Sequence, residues 1–361
     1  MAGHPPVAVS PAADGAGPPA PSAALVSLGA ARGAIVLAGL GYFVDIFDLL
    51  LFAVVRVASV RDLAGDEALL AAGTLLQNTQ LIGMMIGGLA WGILGDRRGR
   101  RSVLYGSILL YSLANLGNAT ASSIDQYVAW RFIAGVGLAG ELGAALTIVS
   151  ELVRARDRGT ATTLVATMGV MGAVAAALVG GAMSWRMAYV VGGVLGLLLL
   201  ALRIRVRDSA MFARTRATVA GRGRLGRLLG DPARAARYLR AILIGVPVWF
   251  TSGILVTFAP EFAAALGVDG TVSAGTAVLV FYATTTFGDL TSGLLSQRWR
   301  SRRRAAGVYI AGTAIGVALY LAGAARTPPG IYALYGWLGL TTGYWAVMVT
   351  MAVEQFGTDL R

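Results

Sequence analysis

Residues 92–101 read Gly-Ile-Leu-Gly-Asp-Arg-Arg-Gly-Arg-Arg and connect the end of one apolar stretch, 71–95, to the start of another, 102–121. Gly99 allows a tight turn, because glycine takes backbone conformations that other residues avoid. Asp96 can pair with neighbouring arginines and with the ends of the flanking helices. The stretch therefore predicts a helix end, a short charged turn and a second helix start.

A degraded copy of this stretch occupies residues 293–303 and reads Gly-Leu-Leu-Ser-Gln-Arg-Trp-Arg-Ser-Arg-Arg. Gln297 stands in place of Asp96, and Arg300 in place of Gly99. A repeat at matching places in two halves of a chain is typical of proteins built from two related helix bundles. We therefore expect two pseudo-symmetric bundles.

The composition predicts an all-α, polytopic membrane protein. Of 361 residues, 56% are apolar and only 13% are charged, against about 25% charged in soluble domains. Ten apolar segments have nearly the ~20 residues that a membrane-spanning helix needs, or more, and they are too long and continuous for short alternating strands. They cover residues 33–56, 71–95, 102–121, 126–152, 160–182, 186–204, 238–263, 272–297, 304–325 and 329–353. We expect a disordered tail over 1–31, a six-helix bundle over 32–204, a cytoplasmic linker over 205–237 and a four-span bundle over 238–361.

The arginines predict the orientation. All 30 basic residues are arginine, and the net charge is +12. With the N-terminus in the cytoplasm, 25 arginines fall on the cytoplasmic side, eleven of them between Arg203 and Arg240. Four fall on the other side, namely Arg56, Arg61, Arg186 and Arg326. This asymmetry follows the positive-inside rule and explains the high positive charge without a nucleic-acid partner.

Several kinds of chemistry are excluded by composition. The chain has no cysteine, and its single histidine is His4 in the N-terminal tail. A thiol nucleophile, a Ser-His-Asp triad and a histidine metal site are therefore ruled out. We expect no enzymatic activity, metal or cofactor, and any proton chemistry must use carboxylates.

Five ionisable residues fall well inside predicted spans, away from the span ends: Asp45, Asp48, Arg131, Glu141 and Asp289. Each costs roughly 2.5–3.5 kcal/mol at a helix centre, so these side chains must face a cavity or each other. Asp45 and Asp48 are three residues apart and share a helix face. Because two close carboxylates repel, we expect one of them to bind a proton near neutral pH. A permanent structural ion pair with Arg131 is the alternative. Glu141 lies about 15 Å along the same helix from Arg131, as a second relay or a substrate contact.

Glycines within the spans predict close helix packing. Residues 135–140 fit the Gly-x-Gly-x-x-Gly pattern, but a dinucleotide site needs a preceding strand, and this pattern lies inside a span. Small residues there let helices approach closely. We interpret the pairs Gly83/Gly87 and Gly88/Gly92 in the same way.

Over about residues 33–361, the chain resembles the major facilitator superfamily, and within it the sugar-porter and metabolite:proton symporter branch. The resemblance is carried by 92–101 and its copy, Trp130-Arg131-Phe132, Glu151 with Arg158-Gly159, 207–212 and 354–361. It implies twelve spans, so we expect the two that would follow Arg361 to be missing. It also implies a gate loop at Gly92, Asp96, Arg97, Gly99, Arg100 and Arg101, and outward-open-state salt bridges at Glu151, Arg158, Glu354 and Arg361.

The resemblance implies a monomeric secondary transporter in a bacterial inner membrane, moving an organic acid or sugar-like metabolite by alternating access and proton symport. Asp48 would pair with Arg131, with Asp45 as the second candidate. Its partners would be a small-molecule substrate and the lipid bilayer, with the proton gradient as its energy source. A proton-coupled efflux antiporter and a receptor-like or truncated, inactive protein are the alternatives. The substrate-contact candidates are Gln77, Gln80, Trp249, Tyr282, Asp289, Tyr335, Trp337 and Tyr344.

Overall fold

The computed structural model describes residues 31–98, 100–141, 157–205 and 232–355, together with Ser27, Gly29 and Val153. All the elements assigned there are helices. The first half contains α1 (Arg32–Ala64), α2 (Leu69–Arg98), α3 (Arg100–Ala119), α4 (Ile124–Leu138), α5 (Arg158–Ala182) and α6 (Trp185–Arg205). The second half contains α7 (Pro232–Phe250), α8 (Ala259–Ala265), α9 (Ala274–Arg298), α10 (Arg302–Leu321), α11 (Pro328–Thr342) and α12 (Trp345–Gln355).

A helix lies at each of the ten predicted spans, and the polytopic helical fold is confirmed. Seven helices in the described residues are long and apolar enough to cross a membrane, so the count of ten is not confirmed. The seventh predicted span comprises α7, a wider π-helical turn over Thr251–Val256, and α8. The turn follows Pro247, which lacks a backbone N–H, and the Thr251 hydroxyl donates to the Pro247 carbonyl at 2.8 Å.

Helices α2 and α4 are in backbone contact, as the glycine pattern predicts. A Cβ atom on Gly83 or Gly135 would collide with a carbonyl of the facing helix. The same prediction is wrong for Gly88 and Gly92, because an added Cβ there would meet no described atom within 4 Å. Only one of the two glycine pairs on α2 therefore faces α4.

The two halves meet near the C-terminal end of α1. One apolar cluster combines Ala53 of α1 and Ala177 of α5 with Leu255, Val256 and Val278 of the second half. Helices α5 and α9 also pack against each other. At the opposite end, a cavity of about 520 Å³ is lined by residues of 296–303 and by Met351. The apolar cluster shared by the two halves thus lies at the end where α1 finishes, away from this cavity of the second half.

Two arginines lie in helices rather than in the predicted loops. The arginine count places Arg203 in a cytoplasmic loop and Arg56 outside the membrane, but Arg203 lies in α6 and Arg56 in α1, with exposures of 4% and 0%. Each is paired with a glutamate, and a long arginine stem packs well among apolar side chains. Residues 232–237 were also expected in the linker and are the first turns of α7. The four-part domain division remains a prediction.

Candidate functional site

The centre of the site is a polar face of α1, a helix whose side chains are otherwise mostly apolar and buried. Asp45 and Asp48 are one turn apart, with exposures of 0% and 4%. Neither carboxyl receives a hydrogen bond from an N–H or O–H of the described residues. Helices α3, α4 and α6 supply the neighbours that distinguish the two carboxyls.

Asp48 lies between α3 and α6. A Cβ on Gly192 of α6 would come 2.5 Å from Asp48 Oδ1 and 3.6 Å from Asn115 Nδ2 of α3. The missing side chain at Gly192 therefore creates the space that this carboxyl occupies. Asn115 is also buried, and its amide is the polar group beside Asp48.

Asp45 lies against Glu141, which ends the turn after α4. Glu141 is fully buried and forms an ion pair with Arg203 of α6. The expectation that one of Asp45 and Asp48 binds a proton remains a prediction, and Glu141 is a third carboxyl beside Asp45. Helix α4 runs antiparallel to α1 and thereby brings Glu141 close to Asp45. Its role as a second relay or a substrate contact remains a prediction.

Arg131 of α4 is also fully buried, but it forms no salt bridge with Asp48 within the described ranges. Its guanidinium carbon lies 4.0 Å from the centre of the Phe52 ring, and Nη1 donates to the Tyr189 hydroxyl at 3.4 Å. Tyr189 in turn bonds to the Tyr127 hydroxyl at 2.6 Å. The Nε and Nη2 donors of Arg131 find no acceptor among the described residues, so they can serve an anion.

A third buried arginine joins the two halves. Arg56 Nη2 of α1 lies 2.6 Å from Glu261 Oε2 of α8 and 3.2 Å from the Thr257 carbonyl oxygen. The guanidinium also lies 4.5 Å from the centre of the Phe258 ring. We refer to the Arg56–Glu261 contact as the inter-bundle ion pair. It closes the end of the molecule at which the apolar cluster joins the halves.

Sequence reasoning missed Arg56 and Arg203 as buried charges, and Glu261 as the partly exposed partner of Arg56. Glu261 could have been detected, because it is a charged residue inside the predicted seventh span, 238–263. Arg203 directly precedes the apolar Ile204 and follows the buried Leu199 by one turn, which is also a core-facing position. Counting arginines by loop did not identify Arg56 and Arg203 as buried, because the count does not consider which helix face a residue occupies.

The predicted substrate contacts are divided between the halves. Gln77 and Gln80 are on α2, and Gln80 is buried. Asp289 and Tyr282 are on α9, and Asp289 is buried. The ring of Trp249 meets that of Trp345 edge-on at 5.9 Å. Three candidates donate hydrogen bonds to backbone carbonyls: Trp337 to Gly312, Tyr335 to Leu255 and Tyr344 to Ile244. These three side chains therefore contribute to helix packing.

The gate loop and the predicted salt bridges lie mostly beyond what the structure describes. A Cβ on Gly92 would meet no described atom within 4 Å. Arg97 is exposed near the end of α2. The side chains of Asp96, Arg100, Arg101, Arg158 and Glu354, and the whole of Gly99, Glu151 and Arg361, fall outside the described residues. Their proposed contacts remain predictions.

Residues 38–361 match the family model of the Major Facilitator Superfamily. The niacin transporter NiaP of Acinetobacter baylyi is 35% identical over 159 residues, which cover 43% of this chain and 36% of that protein. The 3-(3-hydroxy-phenyl)propionate transporter of Escherichia coli is 37% identical over 137 residues, covering 37% and 34%. The chain thus spans roughly a third of the length of each.

Among solved structures, a partially occluded inward-open conformation of the xylose transporter XylE from E. coli has a similar fold. The TM-score is 0.65 at 18% identity, and the match covers 91% of this chain and 86% of that one. The twelve described helices therefore have the arrangement of a known transporter fold.

Proposed function

The chain belongs to the Major Facilitator Superfamily, and on that premise we propose that it is a proton-coupled symporter for a small aromatic carboxylate. The observation that carries this proposal is the buried group of Asp45, Asp48 and Glu141 in the first bundle. Charged groups in a membrane interior are costly and usually mark a transport or proton pathway. The family gives the fold, and these carboxyls supply groups that can take up and release a proton.

The substrate class follows from the relatives and from Arg131. The two relatives are named for niacin and for 3-(3-hydroxy-phenyl)propionate, and both compounds carry a carboxylate and an aromatic ring. Arg131 offers two buried donors without an acceptor among the described residues, and a guanidinium suits a carboxylate. Phe52 and Tyr189 beside it supply aromatic surface. These features favour an organic acid over a sugar.

Transport would proceed by alternating access between the two bundles. The inter-bundle ion pair and the apolar cluster close the end at which α1 finishes. The arginine distribution predicts that this end faces away from the cytoplasm. The protein would act as a monomer in a bacterial inner membrane. Opening this end requires separation of Arg56 from Glu261.

The experiment is uptake of radiolabelled nicotinate by the full-length protein in proteoliposomes, under pH gradients of either sign. Symport predicts accumulation when the outside is acidic. Nicotinamide, which has the same ring without the carboxylate, is the matched control and should not accumulate. Asp45→Asn and Asp48→Asn replace the two candidate coupling carboxyls; at least one of them should abolish accumulation but preserve counterflow, because the amide keeps the shape and cannot exchange the proton.

Three outcomes would contradict this proposal. Accumulation only when the inside is acidic would indicate an efflux antiporter. Nicotinate or 3-(3-hydroxyphenyl)propionate binding without flux would indicate a receptor-like or inactive protein. Undiminished proton-driven accumulation in both Asp48→Asn and Asp45→Asn would show that these carboxyls do not couple transport to protons.

A further inference from the structure

Two carboxyls, Asp45 of α1 and Glu141 of the turn after α4, meet beside one arginine of α6, Arg203. We propose that this carboxyl pair holds a single shared proton, that this is the coupling proton, and that Arg203 is the positioning residue that sets how tightly it binds. The inference rests on the proposed function, and it assigns the proton to a pair of residues rather than to one aspartate.

The ion pair is held above a glycine of α1. A Cβ on Gly41 would lie 2.6 Å from Glu141 Oε1 and 3.0 Å from Arg203 Cζ. Gly41 and Asp45 are four residues apart and therefore lie on the same face of α1. The Glu141–Arg203 ion pair thus packs against α1 at Gly41, and Asp45 lies one turn further along the same face of α1.

Charge balance requires a proton at this site. Asp45 lies against Glu141, and two ionised carboxylates are both acceptors, so they cannot hydrogen-bond to each other. Arg203 neutralises one of them. A second negative charge would remain buried without compensation, which is strongly unfavourable. One proton on the pair, donated by the Asp45 hydroxyl to the Glu141 carboxylate, gives a neutral group of three residues.

The remaining described neighbours do not replace Arg203. Arg131 is held at the Phe52 ring, about two turns further along α1. Helix α5 presents Met168 and Gly169 to this part of α1. The other titratable or charged groups facing the cluster are Tyr42 and Asp48 of α1, Tyr111 of α3, Arg131 of α4, Tyr189 of α6 and Asp289 of α9. Arg203 is therefore the cation in contact with the pair.

Release of the proton leaves two carboxylates beside one guanidinium. When the site opens to solvent, the Asp45 O–H bond breaks, the proton passes to water, and the site gains one negative charge. Hydration of the cavity stabilises that charge, whereas closure around the site does not. The pair can therefore load and unload one proton in step with opening and closing.

The first test is the pH profile of nicotinate counterflow in Arg203→Gln, with Arg203→Lys as the matched control. Loss of the cation strengthens proton binding, so the pH midpoint should rise by about 1 unit or more in Arg203→Gln. Arg203→Lys keeps the charge and should remain within a few tenths of a unit of the wild type. The double variant Arg203→Gln/Glu141→Gln restores neutrality with similar shapes, and its midpoint should return towards the wild type.

An equal midpoint in Arg203→Gln and Arg203→Lys would overturn the role of Arg203. If Arg203→Gln does not fold, the double variant is compared with Glu141→Gln alone. The charge-balance argument is contradicted if the pH midpoints of these two variants lie equally far from that of the wild type. If the wild-type protein accumulates no nicotinate under a pH gradient of either sign, the proposed function itself is contradicted.

A second measurement does not depend on transport. Infrared difference spectra of the purified protein between alkaline and acidic buffer should show the C=O stretch of one protonated carboxyl. That band should be lost in Asp45→Asn and displaced in Glu141→Gln, whose amide changes the hydrogen bond. A band unchanged in both variants would overturn the shared proton even where transport is proton-driven.

Discussion

At the scale of single residues, two glycines determine where the buried carboxyls can lie. Gly41 of α1 leaves space for the Glu141–Arg203 ion pair, and Gly192 of α6 leaves space for Asp48. A methyl group at either position would occupy the volume that a charged side chain now fills. Both glycines are helical, so their role depends on close approach and not on backbone conformation.

Gly192→Ala should therefore impair coupling without a general loss of folding. The added Cβ would lie 2.5 Å from Asp48 Oδ1 and 3.2 Å from Phe47 Cε1, and overpacking of this kind costs about 1–3 kcal/mol. If the cost is met by displacement of Asp48, proton-driven nicotinate uptake should fall about tenfold or more. Gly181→Ala on α5 is the control, because its added Cβ meets no described atom within 4 Å. Equal uptake by the two variants would show that Asp48 does not need this space.

At the scale of elements, the α2–α4 contact depends on backbone atoms that cannot move aside independently. A side chain at Gly135 would meet the Gln80 carbonyl and would lie 3.1 Å from the Met84 nitrogen. We expect Gly135→Val to lower the thermal midpoint of the detergent-purified protein, by the equivalent of about 1–3 kcal/mol or more. Gly88→Val is the control on α2, and its midpoint should stay near that of the wild type. A stable Gly135→Val variant would contradict the close packing of these helices.

The positions of helices could be predicted from the sequence more fully than the identity of their buried faces. Apolar length alone locates the helices, because the bilayer requires about 20 apolar residues for each span. It does not reveal the π-helical turn after Pro247, which depends on how α7 packs. Arg56 and Arg203 were assigned to loops, since a single arginine at the end of an apolar stretch has the same local sequence whether it faces water or a buried glutamate.

The same limit applies to the candidate site. The sequence identified Asp45, Asp48, Arg131 and Glu141 as unusual, because each interrupts an apolar span. It could not show which of them are neighbours, because separation along one helix says nothing about the register between α1, α4 and α6. The contact of Asp45 with Glu141 depends on that register.

At the scale of the whole molecule, the predicted orientation can be tested directly because the chain has no cysteine. Glu67 precedes α2, and Gln297 is near the end of α9, at the opposite end of the molecule. Both side chains are exposed. A membrane-impermeant maleimide should label Glu67→Cys in intact cells and Gln297→Cys only after the inner membrane is permeabilised. The reverse pattern would show that the N-terminus faces away from the cytoplasm.

Closure at the end that carries the inter-bundle ion pair depends on charge as well as on apolar contact. Arg56 is fully buried, whereas the Glu261 side chain is 22% exposed. Removal of the glutamate would leave a buried guanidinium without its carboxylate, and disruption of a fully buried pair costs about 3–5 kcal/mol. The partial exposure of Glu261 reduces that cost, but a difference of even 1.4 kcal/mol changes the ratio of two conformations about tenfold.

Glu261→Gln should therefore shift the protein towards a conformation that is open at this end, where Arg56 can be hydrated. Thr257→Cys reports the change, since Thr257 is buried beneath the inter-bundle ion pair and its carbonyl accepts from Arg56. We expect an outside maleimide to label Thr257→Cys slowly in the parent and at least several-fold faster with Glu261→Gln. Asp62→Asn is the matched control at the same end, because its pair with Arg186 lies within the first bundle and both side chains are more than 40% exposed, where ion pairs contribute little. Equal labelling rates in Glu261→Gln and Asp62→Asn would mean that the apolar cluster alone holds this end closed.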